Sequence, residues 1–496
     1  MKKSKVDSVF LAGILKSRDL KSFGNDKCFQ SLIKELKSLE IDGIEINSND
    51  GDGPKIKVHF ILGLVLGDNL GLNTVLDFNK SFSSNSFCRF CKVKKLETKS
   101  LTIERDDMLR NRSNYEKDVL LNNPSETGIQ NYSQLNEIPS FHVVENFCVD
   151  LMHDIFEGVC HYDICHVIEY FINKASYFSL ETLNTRKQTF QYGAIEIDNM
   201  SGEIKIAQIK TKHLKMTARE MMTFISFFHL MIEDLVPHDD EVWKFLLSFI
   251  EIIDLLLAFE ICDEIIPMLR KKIEIHNRDY VRLFNDTLKP KHHILTHYPT
   301  VIKQSGPVRS FWCFKFEAKH KEFKLYSHAI MSRKNICLTL AKKYQLKTAF
   351  KLLNNIDNIS TCYYEVYDKH KIVSDFKNLI SEMLRVPKTQ VEFYSKAEIE
   401  GYKYQQKFYI ARFITDIELY IIVDIGLLRK NKVFLFCQKL NRIQYNPSIL
   451  SFEVDEKQLG SFSIIFPKDI VGPPMNLIKT ATGKSILRVK EYYFSK

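Results

Sequence analysis

The chain has 496 residues, 45% of them hydrophobic and 26% charged, and 70 Lys and Arg against 61 Asp and Glu give a formal net charge of +9. That composition excludes a disordered or fibrous protein and is ample for two to four domains with their own cores. The apolar stretch in "VDSVFLAGIL" is too short to span a membrane and lacks a small-residue cleavage site, so the expectation is an intracellular protein, nuclear or cytoplasmic and not secreted.

In chain order, residues 28–47 carry Phe29, Leu32, Ile33 and Leu36 at helical spacing, which predicts a helix ending at a Gly43 turn. "KIKVHFILGLVLGD", residues 55–68, passes from alternation to a continuous apolar run and predicts a buried strand that delivers Asp68 at its end. Residues 92–140 are polar and rich in Asn, Ser, Pro and Gly, as in a loop-rich connector. From about 148 to 285 the periodicity is helical, with a two-stranded insertion expected at "FQYGAIEIDNMSGEIKIAQI" around a turn at Asn199 to Gly202. Helices resume over 333–353, and after about residue 390 the pattern becomes the alternation of a small, mostly β domain.

The eleven cysteines are an odd, scattered set without secretory features, so they read as reduced thiols with a metal site rather than a disulfide framework. "SFCRFCK" places Cys88 and Cys91 in a C-x-x-C that runs into basic sequence, which suits zinc better than a redox motif. The dense source of further ligands is "LKPKHHILTHYP", where His292 and His297 stand five apart with His293 beside them. Two thiolates and two imidazoles meet the donor number and softness of a tetrahedral zinc site, and with about 200 residues between the halves such a site would staple a tertiary fold. Asp68 lies 20 residues before Cys88 and Glu317 lies 20 after His297. Acids so placed could hold the Mg²⁺ or Mn²⁺ of two-metal phosphoryl transfer, while an N-cap or a surface acid is the plainer reading of each.

The strings "LGLVLGDNLGLN", "SFCRFCK", "VDLMHDIFEGVC", "LKPKHHILTHYP", "GPVRSFWCFKFEAKHK" and "KNICLTLAKK" together resemble transposase-derived proteins of animal genomes related to CACTA (En/Spm)-type transposases, over most of residues 5–350. The resemblance implies an RNase H-like core with an Asp, Asp, Glu triad, in which Asp68 matches the second Asp and Glu317 the third acid. The Cys-Cys and His-His order is also similar to that of the recombinase of antigen-receptor gene rearrangement. Asp150 and His153 of "DLMH" match a D-x-x-H motif that marks the start of a helical insertion; capping for Asp150 and core packing for His153 is the alternative. No segment fits the Asp-bearing first hairpin of such a core, so the first catalytic Asp is expected to be missing and the chain to be part of a longer or decayed reading frame.

The expected fold is α/β plus α: a truncated RNase H-like core (1–100 and 286–355), a connector (101–147), a large helical insertion (148–285), a linker (356–389) and a β-rich C-terminal domain (390–496). The expected function is that of a transposase-derived DNA-binding protein, ancestrally cutting and joining DNA strands, with catalysis by this chain in doubt. Structural Zn²⁺ and catalytic Mg²⁺ or Mn²⁺ are its expected cofactors. DNA is its expected partner, with self-association left open and neither a membrane nor a small-molecule substrate expected. Lys315, Lys319 and Lys321 are candidate phosphate contacts, although solvated helix surface reads equally well. The rivals are a domesticated non-catalytic DNA-binding or protein-interaction module, and a metal-dependent hydrolase unrelated to DNA with His153, Asp154 and Glu157 as ligands.

Overall fold

In the computed structural model the helix expected over 28–47 is the later part of α1 (Ser17–Ile41), whose earlier part is broken at Gly24 by a left-handed φ of 74° that glycine adopts without a Cβ penalty. The residues described are 9–47, 54–194, 196–331, 333–354, 364–399, 402–428 and 432–489. The chain divides into two compact units, residues 1–159 with 259–357 and residues 160–258 with 358–496.

In the first unit, Gly43 (φ 66°) turns α1 into β1 (Ile44–Ile46), which pairs antiparallel with β2 (Ile56–Val58). The long buried strand expected up to Asp68 does not form. Beyond β2 the chain belongs to no strand or helix up to Asp68, and Phe60 and Ile61 remain 45% and 74% exposed. Its backbone is met piecemeal instead. Phe60 N donates to Leu39 O (3.1 Å), Leu62 N to Ser140 Oγ (3.1 Å), and Asn146 Nδ2 to Gly63 O (2.8 Å). An apolar run thus stays outside any sheet because no neighbouring strand takes up its hydrogen bonds. Asp68 then opens α2 (Asn69–Val75) as its N-cap.

The connector is irregular as expected, with short helices at Lys95–Thr98, Arg112–Leu121 and Pro124–Thr127. "MHDIFEGV" (Met152–Val159) forms a π-helix. The later part of the unit comprises α3 (Ile265–Phe284), α4 (Pro290–Thr296), α5 (Tyr298–Ser305), α6 (Phe314–Ala329) and α7 (Ile336–Leu353). Pro290 and Pro299 each sit in the first turn of their helix, where a missing N–H costs nothing.

In the second unit the helix Ala218–Ile232 is buried along nearly its whole length, which its apolar residues on every side require. The side chains of His229, Trp243 and Asp254 tie the helices to residues 448–488. His229 Nε2 bonds Ile449 O (3.0 Å), Trp243 Nε1 donates to Ser448 O (3.2 Å) and Arg488 donates to Asp254 (2.6 Å). The expected hairpin at 190–209 is absent among the described residues, which instead form a turn at Ile197–Asn199 and a helix at Ile206–Lys210. Side chains of the helix Leu180–Thr189 occupy the backbone groups that a ladder would use. Asn184 pairs with both Ile204 N and Ile204 O (2.9 Å each), and Lys187 donates to Ser201 O (2.6 Å) and Gly202 O (2.7 Å).

The β-rich end begins earlier than residue 390, at β3 (Tyr364–His370). It continues with β4 (Val391–Ile399), β5 (Tyr402–Gln405), β6 (Tyr409–Phe413), β7 (Ile417–Leu428), β8 (Lys432–Leu440), β9 (Ile443–Asn446), β10 (Ser451–Val454), β11 (Leu459–Ile465), β12 (Ile470–Met475), β13 (Ile478–Lys479) and β14 (Ser485–Leu487). Eight of these form an antiparallel sheet with the spine β11-β8-β7-β4-β3, and four form a second sheet in the order β13-β14-β10-β9. Alternating residues of β6, β7 and β8, among them Ile410, Ile422, Leu435 and Cys437, build one core under the larger sheet. No helix among the described residues is long and apolar enough to cross a membrane.

Candidate metal centre

The "SFCRFCK" loop is held from both sides before any metal is considered. Cys91 forms a β-bridge with Leu109, Lys92 N donates to Met108 O and Arg110 N to Phe90 O (2.9 Å each). The Arg110 guanidinium lies beneath the loop, donating to Cys88 O (3.4 Å), Thr127 O (2.6 Å) and Asp118 (3.2 Å). On the other side, Leu288 N donates to Lys99 O (2.9 Å) and so docks the start of α4 beside this loop.

The docking brings Cys88, Cys91, His293 and His297 together with their ligand atoms all within 4.8 Å of one another. All four are buried, with exposures of 2%, 2%, 0% and 1%. Cys88 Sγ lies 3.5 Å from His297 Nε2, Cys91 Sγ 3.3 Å from His293 Nε2, and the two Nε2 atoms 3.4 Å apart. Ligands at the usual zinc distances of about 2.3 Å (S) and 2.0–2.1 Å (N) on a tetrahedron stand roughly 3.3–3.8 Å from one another. The residues therefore fit a closed Cys₂His₂ metal site compatible with zinc.

The second histidine pair is His293 and His297, not His292 and His297. At 100° per residue, positions four apart on a helix face within about 40° of each other, whereas positions five apart diverge by about 140°. His292 instead packs its ring on Tyr280 (4.6 Å between centroids), and its Nδ1 accepts from Lys289 N (3.1 Å). The helical spacing in "HHILTH" was the available signal, and the tandem histidines obscured it.

Glu104, which the sequence reading missed, stands behind His297. Its Oε1 lies 2.7 Å from His297 Nδ1, and its Oε2 accepts from Arg270 (2.8 Å) and from Thr300 Oγ1. This carboxylate fixes the ring so that Nε2 points at the sulfurs, the arrangement found behind metal-bound histidines. Burial pushes the Glu104 carboxyl up, but His297, Thr300 and Arg270 outweigh it and hold it below the usual range. Burial works against a charged His297, yet Cys88 and Glu104 raise its pKa to about 9. Burial also opposes a thiolate at Cys88, but its bond with Cys91 and the charge of the two imidazoles bring its pKa well below that of a free thiol. The thiolate at Cys88 is one of the donors that a divalent ion needs, and on binding the ion takes the place of the imidazole protons.

A second cluster surrounds His153, in the same unit. Its Nδ1 is bonded to Asp150, and its Nε2 lies 3.6 Å from Glu317 Oε1 and 3.8 Å from Glu157 Oε2. Asp150 is 1% exposed and accepts from the backbone of Cys313 (2.9 Å), Met152 (3.2 Å) and His153 (3.4 Å). The bond to Asp150 raises the His153 pKa against the effect of burial, and Glu157 and Asp68 raise it further. Glu317 is therefore a direct neighbour of His153, while Asp68 acts on that ring through its charge alone. Asp68 also caps α2, with its Oδ1 2.6 Å from Gly71 N.

Buried side chains connect the two clusters. Arg89, between the two cysteines, donates to Asn69 Oδ1 (2.7 Å), next to Asp68. Asn69 Nδ2 bonds Asp154 Oδ1 (2.5 Å), and Tyr298, next to His297, donates to Asp154 Oδ2 (3.0 Å). Asp154 is therefore a buried hub, not a metal ligand beside His153. Lys291, two residues before His293, donates to His153 O (2.7 Å) and Glu157 O (2.9 Å). Gly158 makes room for it: a Cβ there would lie 2.3 Å from Lys291 Cδ.

Of the candidate phosphate contacts, Lys319 is mostly covered, lying 3.9 Å from Glu322 and over the Tyr344 ring, and Lys315 donates to Ser310 O (3.4 Å). Lys321 is exposed, as are Lys324, Lys342 and Lys343 on α6 and α7. No protein-family model and no curated protein matches the chain.

Proposed function

We propose that the chain is a DNA-binding protein derived from a CACTA-like transposase, its first unit a zinc-stapled remnant of an RNase H-like core that no longer cuts DNA at an appreciable rate. One observation supports the reading: in the unit that holds the Cys₂His₂ cluster, Glu317 comes within 3.6 Å of His153 of the D-x-x-H motif, 164 positions away in sequence, and the charge of Asp68 acts on the same imidazole. Cys88, Cys91, His293 and His297 would hold Zn²⁺, and Asp68 and Glu317 would hold Mg²⁺ or Mn²⁺, which stabilises charge on a phosphodiester when bound.

The carboxylates themselves argue for binding over cleavage. One oxygen of Asp68 is spent on a helix cap, and Asp150 is sealed under three backbone N–H groups and His153. The exposed lysines of α6 and α7, Lys321, Lys324, Lys342 and Lys343, supply charge for backbone phosphates.

Fluorescence anisotropy with duplex DNA tests the binding half. Binding at low salt should weaken as salt rises, and replacing Lys321 and Lys324 by Gln should reduce the log-log salt slope by about 0.9 per lost phosphate contact. Absence of binding at about 50 mM salt would overturn the DNA reading. Nicking by the wild type with Mg²⁺ or Mn²⁺ should not exceed that of Glu317→Gln; clear nicking that Glu317→Gln abolishes would overturn the loss of catalysis.

A further inference from the structure

We propose that His153, Glu157 and Glu317 form a second metal site, of mixed nitrogen and carboxylate donors, that takes a divalent transition ion such as Mn²⁺ in preference to Mg²⁺. The inference shares Glu317 with the proposed function but does not require that the chain act on DNA.

The His153 ring has its two nitrogens in different roles. Nδ1 is held by Asp150, which is itself fixed by the N–H groups of Cys313, Met152 and His153. A buried carboxylate bonded to Nδ1 places the proton on that side and leaves the Nε2 lone pair pointing outward. It faces Glu317 Oε1 at 3.6 Å and Glu157 Oε2 at 3.8 Å. Donor atoms about 2.0–2.2 Å from one ion stand roughly 3–4 Å apart, so each carboxylate already lies at ligand spacing from the nitrogen.

The backbone beneath supports this arrangement. His153 and Glu157 both lie on the π-helix Met152–Val159, a geometry frequent at functional sites. A single ammonium, Lys291 Nζ, clips their two carbonyls together at 2.7 and 2.9 Å. The His153, Glu157 and Glu317 side chains are 23%, 37% and 53% exposed, which leaves coordination positions for water or substrate. The trio around His153 whose ligand atoms already all lie within 4.8 Å of one another is Asp150, His153 and Cys313, whereas Glu157 and Glu317, on exposed side chains, would close on the ion from their places beside Nε2. That trio is a poorer site, because Asp150 is fully engaged and burial together with Asp150 keeps the Cys313 thiol protonated. Imidazole suits borderline transition ions, whereas Mg²⁺ favours oxygen alone and keeps its waters, and that sets the preference.

The test titrates Mn²⁺ into the zinc-replete full chain without DNA, counting bound ions by electron paramagnetic resonance and detecting imidazole by electron spin-echo modulation. The expected result is one Mn²⁺ per chain with nitrogen coupling, resisting a tenfold excess of Mg²⁺. His153→Ala should abolish the coupling, and Asp150→Asn should weaken binding about 10–100-fold while keeping it. Glu157→Gln, on the surface, should weaken binding even if the buried variants misfold, and zinc content reports folding in each case. Mn²⁺ binding without nitrogen coupling, binding unchanged in His153→Ala and Glu157→Gln, or no binding below millimolar Mn²⁺ would overturn the proposal. None of these outcomes depends on DNA binding, so the two readings fail separately.

Discussion

The Cys₂His₂ cluster and the His153 cluster use one device to opposite ends. In each, a buried carboxylate grips the Nδ1 of a histidine, Glu104 behind His297 and Asp150 behind His153, and aims its Nε2 at further donors. Around His297 those donors are two thiols and a second imidazole, all sealed from solvent. Around His153 they are two glutamates with much of their surface in water. Closed soft donors describe a structural site, and open hard donors describe a place where an ion could meet a ligand. The contrast teaches that burial and the third and fourth donors, not the histidine and its carboxylate, separate a closed cluster from an open one.

The largest expected effect breaks the closed cluster. His293→Ala should lower zinc affinity by at least about 100-fold and unfold the first unit at lower temperature, because the binding energy of a structural metal is folding energy. His292→Ala, which removes an equally buried imidazole one position away, should leave zinc at one per chain, as read by metal analysis. Loss of zinc in both variants, or in His292→Ala alone, would contradict the assignment. A smaller effect sharpens the comparison by loosening the link between the sites. Lys291→Met leaves the carbonyls of His153 and Glu157 without their buried donor, at a cost of about 1–3 kcal/mol in denaturant unfolding. It should weaken Mn²⁺ binding at His153 while zinc is retained; zinc loss with unchanged Mn²⁺ affinity would invert the expected coupling.

What the sequence made legible follows from how local each signal is. C-x-x-C is short and chemically specific, and the helices of 148–285 and the alternating strands from β4 onward carry their period within a few residues. The apolar run 59–67 was misread because a strand is defined by its partner, and its partners here are Leu39, Ser140 and Asn146. The hairpin at 190–209 failed for the same reason, its backbone being claimed by Asn184 and Lys187. Glu104, Arg89 and Lys291 carry no motif. Each matters through a hydrogen bond to a residue distant in sequence, 193 positions away for Glu104 and 138 for Lys291.

The central claim is that residues 88–91 and 293–297 hold one metal ion between them. Metal analysis with zinc-edge X-ray absorption of the purified full chain tests it most directly. The account predicts one zinc per chain with a shell of two sulfurs at about 2.3 Å and two imidazole nitrogens at about 2.0 Å. A chain purified under reducing conditions without zinc, or a zinc shell lacking sulfur, would contradict it.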